Sequence, residues 1–484
     1  MAGFLFGYEV GIVDQVLAMP AFGLRFGLKE ISPVTGKIVA TAAESDRSGT
    51  ITSVFMLGCI FGSAAASIST DRIGRRWTLM LGCLLFMFGV ALQSFANVIA
   101  TLLAGRVISG IGVGFMSAAA PLYISETAPS EVRGTYVSLY QLMITFGILV
   151  ASIVNTVIMA TMTGEAEWRL ALGLQLVSSG LLTALLLFTP FSPRWLMSRG
   201  REEDALAALA RLRGATESTP EVLEEWEDVR ANVAFEQRVG QATWGELLKP
   251  GIRNRVAIGV TLQVFQQLTG INIILYYAAT LFQRMGFSHQ QASTTLPIAN
   301  AAINLLATFP GMYLVERAGR RSLLLYGGYI IGFAHALVTL FIGLSGANPS
   351  MAWGAMVGVL LFTVAFASTW GPIVWVYQSE IFPLRVRGRA SACSTMTNWV
   401  AGTVLARITL PIQDHIGHYV YLIFASAGVA MGTFVFFFVP ETKGLQLEEM
   451  DAIFGVPQGG VDVEYVESFN YDPKKFAAVE QDAH

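Results

Sequence analysis

The sequence predicts an all-α membrane protein: twelve transmembrane helices in two six-helix bundles, with a helical linker between them. Three observations carry that prediction. Hydrophobic residues make up 54% of the 484-residue chain and charged residues only 13%, long apolar runs recur along it, and two basic motifs occur twice in the same order. Soluble domains carry about a quarter charged residues, so most of this chain lies where charge is costly, in keeping with a mean hydropathy of +0.56.

Apolar runs of roughly 18 to 25 residues, long enough to cross a bilayer, lie at 1–22, 48–70, 77–95, 100–125, 135–159 and 168–190. A second set lies at 254–282, 290–315, 322–345, 351–381, 388–412 and 417–439. No cleavable signal peptide is evident, because Met1 runs into apolar sequence with no basic flank and no small-residue cleavage site. The first run is short at its amino end, as a truncated or mis-assigned start would leave it.

Four segments follow: an amino-terminal bundle over 1–195, a linker over 196–253, a second bundle over 254–440 and a tail over 441–484. The linker is highly charged with apolar residues at helical spacing, which predicts short amphipathic helices on one membrane face. It serves either as a solvated connection or to close that face. The acidic tail, with "VDVEYVESFNYD", reads as mostly disordered.

Orientation follows from Lys and Arg in the short loops. "DRIGRR", "EVRG", "RAGRR" and "PLRVRGR" fall on one side if the runs alternate, and the linker joins them. That side is read as the cytoplasm, with both termini inside and 23–47 as the longest outside loop.

The net charge of −3 argues against a nucleic-acid partner. Cys59, Cys83 and Cys393 fit neither a metal site nor a disulfide framework, and read as packing residues. His289, His335, His415, His418 and His484 form no ligand spacing. No metal, no cofactor and no enzyme activity are therefore expected.

The two sixes resemble each other. "DRIGRR" at 71–76 recurs as "ERAGRR" at 316–321, and "YISETAPSEVRG" at 123–134 recurs as "YQSEIFPLRVRG" at 377–388. Parallel six-helix repeats point to a two-bundle secondary transporter. Glu126 and Arg133, Glu380 and Arg387, and the pairs Arg75, Arg76 and Arg320, Arg321 sit at helix ends on the basic side. They could bridge one bundle to its neighbour and hold that side shut in one of two states. Topology alone would explain the arginines but not acidic partners at matched spacing. Asp71, Glu316 and Arg194, from the same basic motifs and from "SPRWL", complete the candidate gate.

"GRVISGIGVG", "PLYISE", "SPRWL", "QQLTGIN", "VERAGRR" and "PETKG" then carry a resemblance from "FGYEVG" to residue 444. The chain resembles a sugar porter of the major facilitator superfamily. The resemblance implies alternating-access transport of a monosaccharide, a hexose such as glucose or a pentose such as xylose, across the plasma membrane.

Sugar hydroxyls donate and accept, so a site needs amides and an aromatic plate for the ring face. "LQVFQQLTGINIILYY" holds Gln263, Gln266, Gln267 and Asn272. On a continuous helix the three glutamines share a face and Asn272 points away; a break at Gly270 would bring it back. A lone membrane amide is by default helix-to-helix glue, whereas four in one span suggest a site. The resemblance assigns sugar contact to Gln266, Gln267, Asn272, Gln141, Asn300 and Trp375, and Asn398 matches its pattern. The Gly-Pro pair in "STWGPIVW" marks the tenth span as a hinge, with Trp375 as the plate. Departures from the pattern are Ser67 for Gly, Phe191 for an ion-pairing Glu, and Gly402 where animal facilitators have Asn.

Glu9 lies in the first apolar run. A carboxylate at bilayer depth costs about 2.5 to 3.5 kcal/mol on insertion scales and calls for a partner, for which Arg106 in the fourth run is the candidate. The resemblance implies that proton-coupled members carry an acid here beside such an arginine. Proton symport, with the proton as co-substrate, is therefore the expected reading; because some fungal facilitators also keep an acid, facilitated diffusion is its alternative, as is a nutrient sensor on the same scaffold. Asp14 reads as a solvated-mouth or helix-cap residue.

Overall fold

The computed structural model describes residues 1–443 and 454, apart from 34, 130–132, 240–242, 346–348 and 384–385. The side chains of Arg133 and Glu316, both candidate gate residues, and nearly all of the 441–484 tail lie outside the described residues. Twelve spans run through the rest. The first six are Ala2–Ala18, Glu44–Ile73, Arg75–Ser94, Ile99–Thr127, Arg133–Thr161, and Glu165–Gly173 continued by Gln175–Phe188. The seventh is in three pieces, Ile252–Leu268, Ile271–Tyr276 and Ala278–Arg284, and the eighth and ninth are Leu296–Ala318 and Arg320–Ser345. Ala352–Ser368 with Trp370–Ile381, then Arg387–Ile416 and Val420–Phe438, complete the set.

Helix packing repeats with the sequence. Span 2 packs on 4, 3 on 4, 1 on 5 and 3 on 6; with six added to each number, 8 packs on 10, 9 on 10, 7 on 11 and 9 on 12. The halves meet where 2 packs on 11 and 5 on 8, two contacts that the same operation exchanges.

Glycine sets how closely the first half packs, which gives "GRVISGIGVG" a physical reason. A Cβ on Gly58 or Gly62 of span 2 would lie 2.3 or 2.2 Å from the Val107 or Ile111 carbonyl oxygen, and one on Gly110 or Gly114 of span 4 would lie 2.1 or 2.5 Å from that of Phe55 or Cys59. Small residues four apart on both helices let the backbones touch, which is how membrane helices gain packing without a hydrophobic driving force.

The linker forms Glu202–Arg213, Pro220–Val239 and the short 3-10 turn Trp244–Leu248. Its first part packs against the first half, where Arg213 donates to the Thr127 carbonyl at 3.0 Å, Arg211 to Phe188 at 2.9 Å and Arg199 to Asp71 at 2.8 Å, whereas the Trp244–Leu248 turn packs on spans 7 and 11. Opposite this basic face, the 23–47 loop folds into an antiparallel hairpin pairing Lys29 with Ala40 and Ile31 with Ile38. Lys29 Nζ reaches the Ala18 carbonyl at 2.6 Å, and Arg47 holds the Phe26 and Gly27 carbonyls.

Candidate functional site

Span 7 breaks at Gly270, whose φ of +84° only glycine adopts at little cost. The turn brings Asn272 back onto the glutamine face, where its Nδ2 donates to Gln267 Oε1. Gln267 Nε2 donates to Asn398 Oδ1 at 2.7 Å, and Asn398 Nδ2 donates to Gln263 Oε1 at 2.6 Å and Gln266 Oε1 at 2.8 Å. The five amides thus form one buried network joining spans 7 and 11.

The tenth span breaks at Thr369, just before the Gly-Pro pair, and resumes at Trp370. Pro372 therefore falls in a first helical turn, where its missing N–H leaves no bond unmade. Gln266 Nε2 donates to the Trp370 and Gly371 carbonyls at 2.9 and 3.0 Å, which ties this hinge to the network. Gln263 Nε2 donates to Gln378 Oε1 at 2.8 Å. Sequence reasoning passed over Gln378, although the repeat flagged it: "YISE" in the first half is "YQSE" in the second. Trp375 is 36% exposed. Gln141 is half-buried on span 5. Asn300 accepts from Thr363 Oγ1 at 2.7 Å, so it is engaged by span 10 rather than by the amide network.

A Cβ on Gly402 would lie 3.3 Å from both Asn272 Nδ2 and Gln267 Oε1. The missing side chain is thus missing from the edge of the amide network itself.

Glu9 and Arg106 meet in the first half, with exposures of 0% and 1%. Arg106 Nη1 donates to Glu9 Oε1, Arg106 Nε donates to the Ile51 carbonyl at 3.2 Å, and the guanidinium lies 4.5 Å from the Phe55 ring centre. Glu9 Oε2, Arg106 Nη2 and both polar atoms of the buried Gln175 on span 6 have no partner among the described residues. Gln175 went unnoticed in the sequence because one amide in an apolar run carries no signal.

At the basic face Arg75 and Arg320 form ion pairs with acids of the candidate gate, but the described pairs join helices within each half instead of bridging the halves. Arg75 pairs with Glu126 at 2.8 Å and with Asp71 at 3.6 Å, and Ser192 Oγ donates to the other Glu126 oxygen at 2.5 Å. In the second half Arg320 pairs with Glu380 at 2.9 Å, and Thr442 Oγ1 donates to the other Glu380 oxygen at 2.6 Å. The physical reason is the packing of span 3 on 4 and of 9 on 10, which sets each arginine beside an acid of its own half. Glu441, from "PETKG", accepts the backbone N–H groups of Arg320 and Arg321 at 2.8 and 3.1 Å. Arg321 also donates to the Phe436 carbonyl at 2.7 Å, and Arg387 to Phe382 at 3.2 Å. Arg194 sits in the first turn of the short helix Pro193–Ser198.

Phe191, where an ion-pairing acid is expected, is not an empty position. Arg76 lies over its ring at 4.9 Å and donates to the Leu187 carbonyl at 2.9 Å. Phe191→Ala is expected to lower stability by about 0.5–2 kcal/mol through loss of this cation–π contact; a thermal melt of the purified protein checks it.

Polar ties between the halves lie at the opposite face. Asp14 Oδ1 accepts the Ala279 N–H at 2.8 Å, Gln15 donates to the Ser293 carbonyl at 2.7 Å, and Arg407 pairs with Asp46 at 2.5 Å. Asp14 is buried and caps the last piece of span 7 from the other half, which corrects the solvated-mouth alternative.

Comparison with known proteins agrees with this architecture. The family described as "Sugar (and other) transporter" matches residues 1–454. The chain is 36% identical over 464 residues to sugar transport protein MST8 of Oryza sativa subsp. japonica, covering 94% of this chain and 89% of the relative. It is 34% identical over 463 residues to the low-affinity glucose transporter HXT3 of Saccharomyces cerevisiae, covering 93% and 80%. The inward-open xylose transporter XylE from E. coli superposes with a TM-score of 0.76 at 27% identity, over 93% of this chain and 97% of that one. A second XylE structure, described as a proton:xylose symporter bound to 6-bromo-6-deoxy-D-glucose, gives 0.75 at 29%, over 94% and 97%. The chain belongs to the sugar transporter family, with the two-bundle, twelve-span fold of the major facilitator superfamily.

Proposed function

We propose that the protein carries a monosaccharide, a hexose such as glucose, across the plasma membrane by alternating access, in symport with a proton. The observation that carries the sugar reading is the closed amide network at the Gly270 break. Without sugar the amides satisfy one another. Hydroxyls that both donate and accept can replace those amide–amide bonds one for one, so entry of a sugar leaves no buried polar group unpaired. The rice and yeast relatives and the glucose derivative bound to XylE support the same substrate class.

The proton reading rests on Glu9, a buried carboxylate that forms an ion pair with Arg106. Ionised, it pairs; protonated, it frees the arginine without leaving a buried charge. The basic face and the linker are cytoplasmic in this reading, as are both termini. The ion-pair clusters there stiffen each half, 1–195 and 254–440, as a unit that rocks about the site. The Asp14, Gln15 and Asp46 ties then hold the outer side shut.

Radiolabelled glucose uptake in transporter-null cells tests the reading. Gln267→Ala strands the Asn272 and Asn398 groups and is expected to raise KM roughly tenfold or more. Trp375→Ala is expected to raise KM and to lower maximal rate as well, because the plate also moves with the hinge. Native kinetics in both variants would remove the site assignment.

A further inference from the structure

Breaking a helix inside a membrane leaves backbone groups that water cannot satisfy, and several of the groups freed at Gly270 have traceable partners. The Gly270 N–H goes to the Gln267 carbonyl at 3.2 Å, and the Ile271 N–H to Thr269 Oγ1 at 3.3 Å. Thr269 Oγ1 itself donates to the Gln266 carbonyl at 2.6 Å. The Ile273 N–H, which a continuous helix would give to Thr269, goes to the Gly270 carbonyl at 3.1 Å. The Thr269 carbonyl is thereby left without its helical donor.

His335 of span 9 supplies one. Its Nε2 lies 2.8 Å from the Thr269 oxygen, and the residue is 1% exposed. A carbonyl only accepts, so Nε2 carries the proton and Nδ1 the lone pair. Nδ1 has no partner among the described residues. Phe362, Phe424 and Tyr421 surround the ring at centroid distances of 4.8, 5.5 and 6.1 Å. The ring is therefore clamped in one orientation, with a single polar task.

We propose that His335 is a positioning residue of the sugar site: by replacing the missing helical donor at the break, it sets the angle at which Asn272 meets Gln267. This rests on the sugar-site reading above. Two carbonyl-directed donors, the Thr269 hydroxyl and the His335 ring, hold the two sides of the turn, and the amides that follow and precede it inherit their spacing from them. Loss of the His335 donor lets the Thr269 peptide rotate to find another partner, which moves Asn272 relative to the three glutamines.

The test compares His335→Phe, which keeps a ring and loses the donor, with His335→Gln, whose amide can still reach the carbonyl. Purified full-length protein in lipid nanodiscs is measured for glucose binding and for amide hydrogen exchange. For His335→Phe, binding is expected to weaken about tenfold, with exchange accelerated over residues 269–274 and unchanged elsewhere. His335→Gln is expected to recover binding to within about threefold of native and to restore protection. If His335→Phe does not accumulate, His335→Met, a flexible side chain with no N–H donor, takes its place with the same expectation. Native binding and protection in the donor-less variant, or equal loss in both variants, would overturn the proposal and reduce His335 to a space-filling ring. If the native protein binds no glucose, the sugar reading itself fails, while the exchange comparison still decides whether His335 holds the break.

Discussion

Glu9→Gln is expected to convert concentrative glucose uptake into simple equilibration, with the accumulation ratio falling to one and the dependence on external pH and on a protonophore disappearing. The substitution keeps the shape and the hydrogen-bonding oxygen that Arg106 uses, and it removes only the ability to gain and lose a proton. Its effect therefore separates coupling from packing. Glu9 and Arg106 belong to spans 1 and 4 of one half, and Arg106 also holds the Ile51 carbonyl of span 2. A change in Glu9 charge is thus felt by three helices at once, and span 1 carries Asp14 and Gln15, which tie the halves together five and six residues further on. That is a physical route from protonation to separation of the halves at the face opposite the basic one. Exchange of labelled for unlabelled glucose should persist in the variant, because the amide network lies in the other half. If native uptake is already equilibrative and the substitution changes nothing, the protein is a facilitator and the pair serves the fold.

Gly110→Val is expected to abolish accumulation of folded protein, the largest structural effect of any single substitution considered. The new Cβ would lie 2.1 Å from the Phe55 oxygen, and that neighbour is backbone, which cannot swing aside as a side chain would. Spans 2 and 4 would have to separate, opening the Gly58, Gly62 and Gly114 contacts together. Overpacking of a well-packed core costs about 1–3 kcal/mol even where side chains can adjust, and here little can. Arg106 lies one turn before Gly110, so any protein that does fold would carry a displaced Glu9 pair and reduced coupling. Gly180→Val on span 6 is the control, since nothing lies within 4 Å of its Cβ position. It should express and melt like the native chain. Size-exclusion profiles and thermal melts of the three proteins decide the matter; a monodisperse Gly110→Val variant would show that the glycine contact is not required.

Span positions were legible because hydropathy is a local property that survives without knowledge of neighbours. The predicted 322–345 and 351–381 runs correspond to Arg320–Ser345 and to Ala352–Ser368 with Trp370–Ile381. The Gly270 break was legible for a different reason: helical periodicity puts Asn272 on the wrong face, and one glycine stands where a correction is possible. The hairpin of the 23–47 loop was not, since Lys29–Ile31 and Ile38–Ala40 are strands of three residues with no marked alternation. His335 was weighed only against metal-ligand spacing, and its partner, a backbone carbonyl in span 7, leaves no mark in a side-chain pattern.

By itself the sequence determined that this chain crosses a membrane many times, that its halves are copies, and that amides, a carboxylate and arginines stand at costly positions. These follow from solvation and repetition, which act residue by residue along the chain. Only the tertiary structure decided which group answers each of those costs. Arg75 and Arg320 could have bridged the halves, yet they pair with Glu126 and Glu380 of their own halves because 3 packs on 4 and 9 on 10. Ser192 and Thr442 complete networks that no spacing announced, since a hydrogen bond is made by distance and angle between elements far apart in sequence. Burial could be read from composition; the choice of partner depended on helix packing, which is a property of the folded whole.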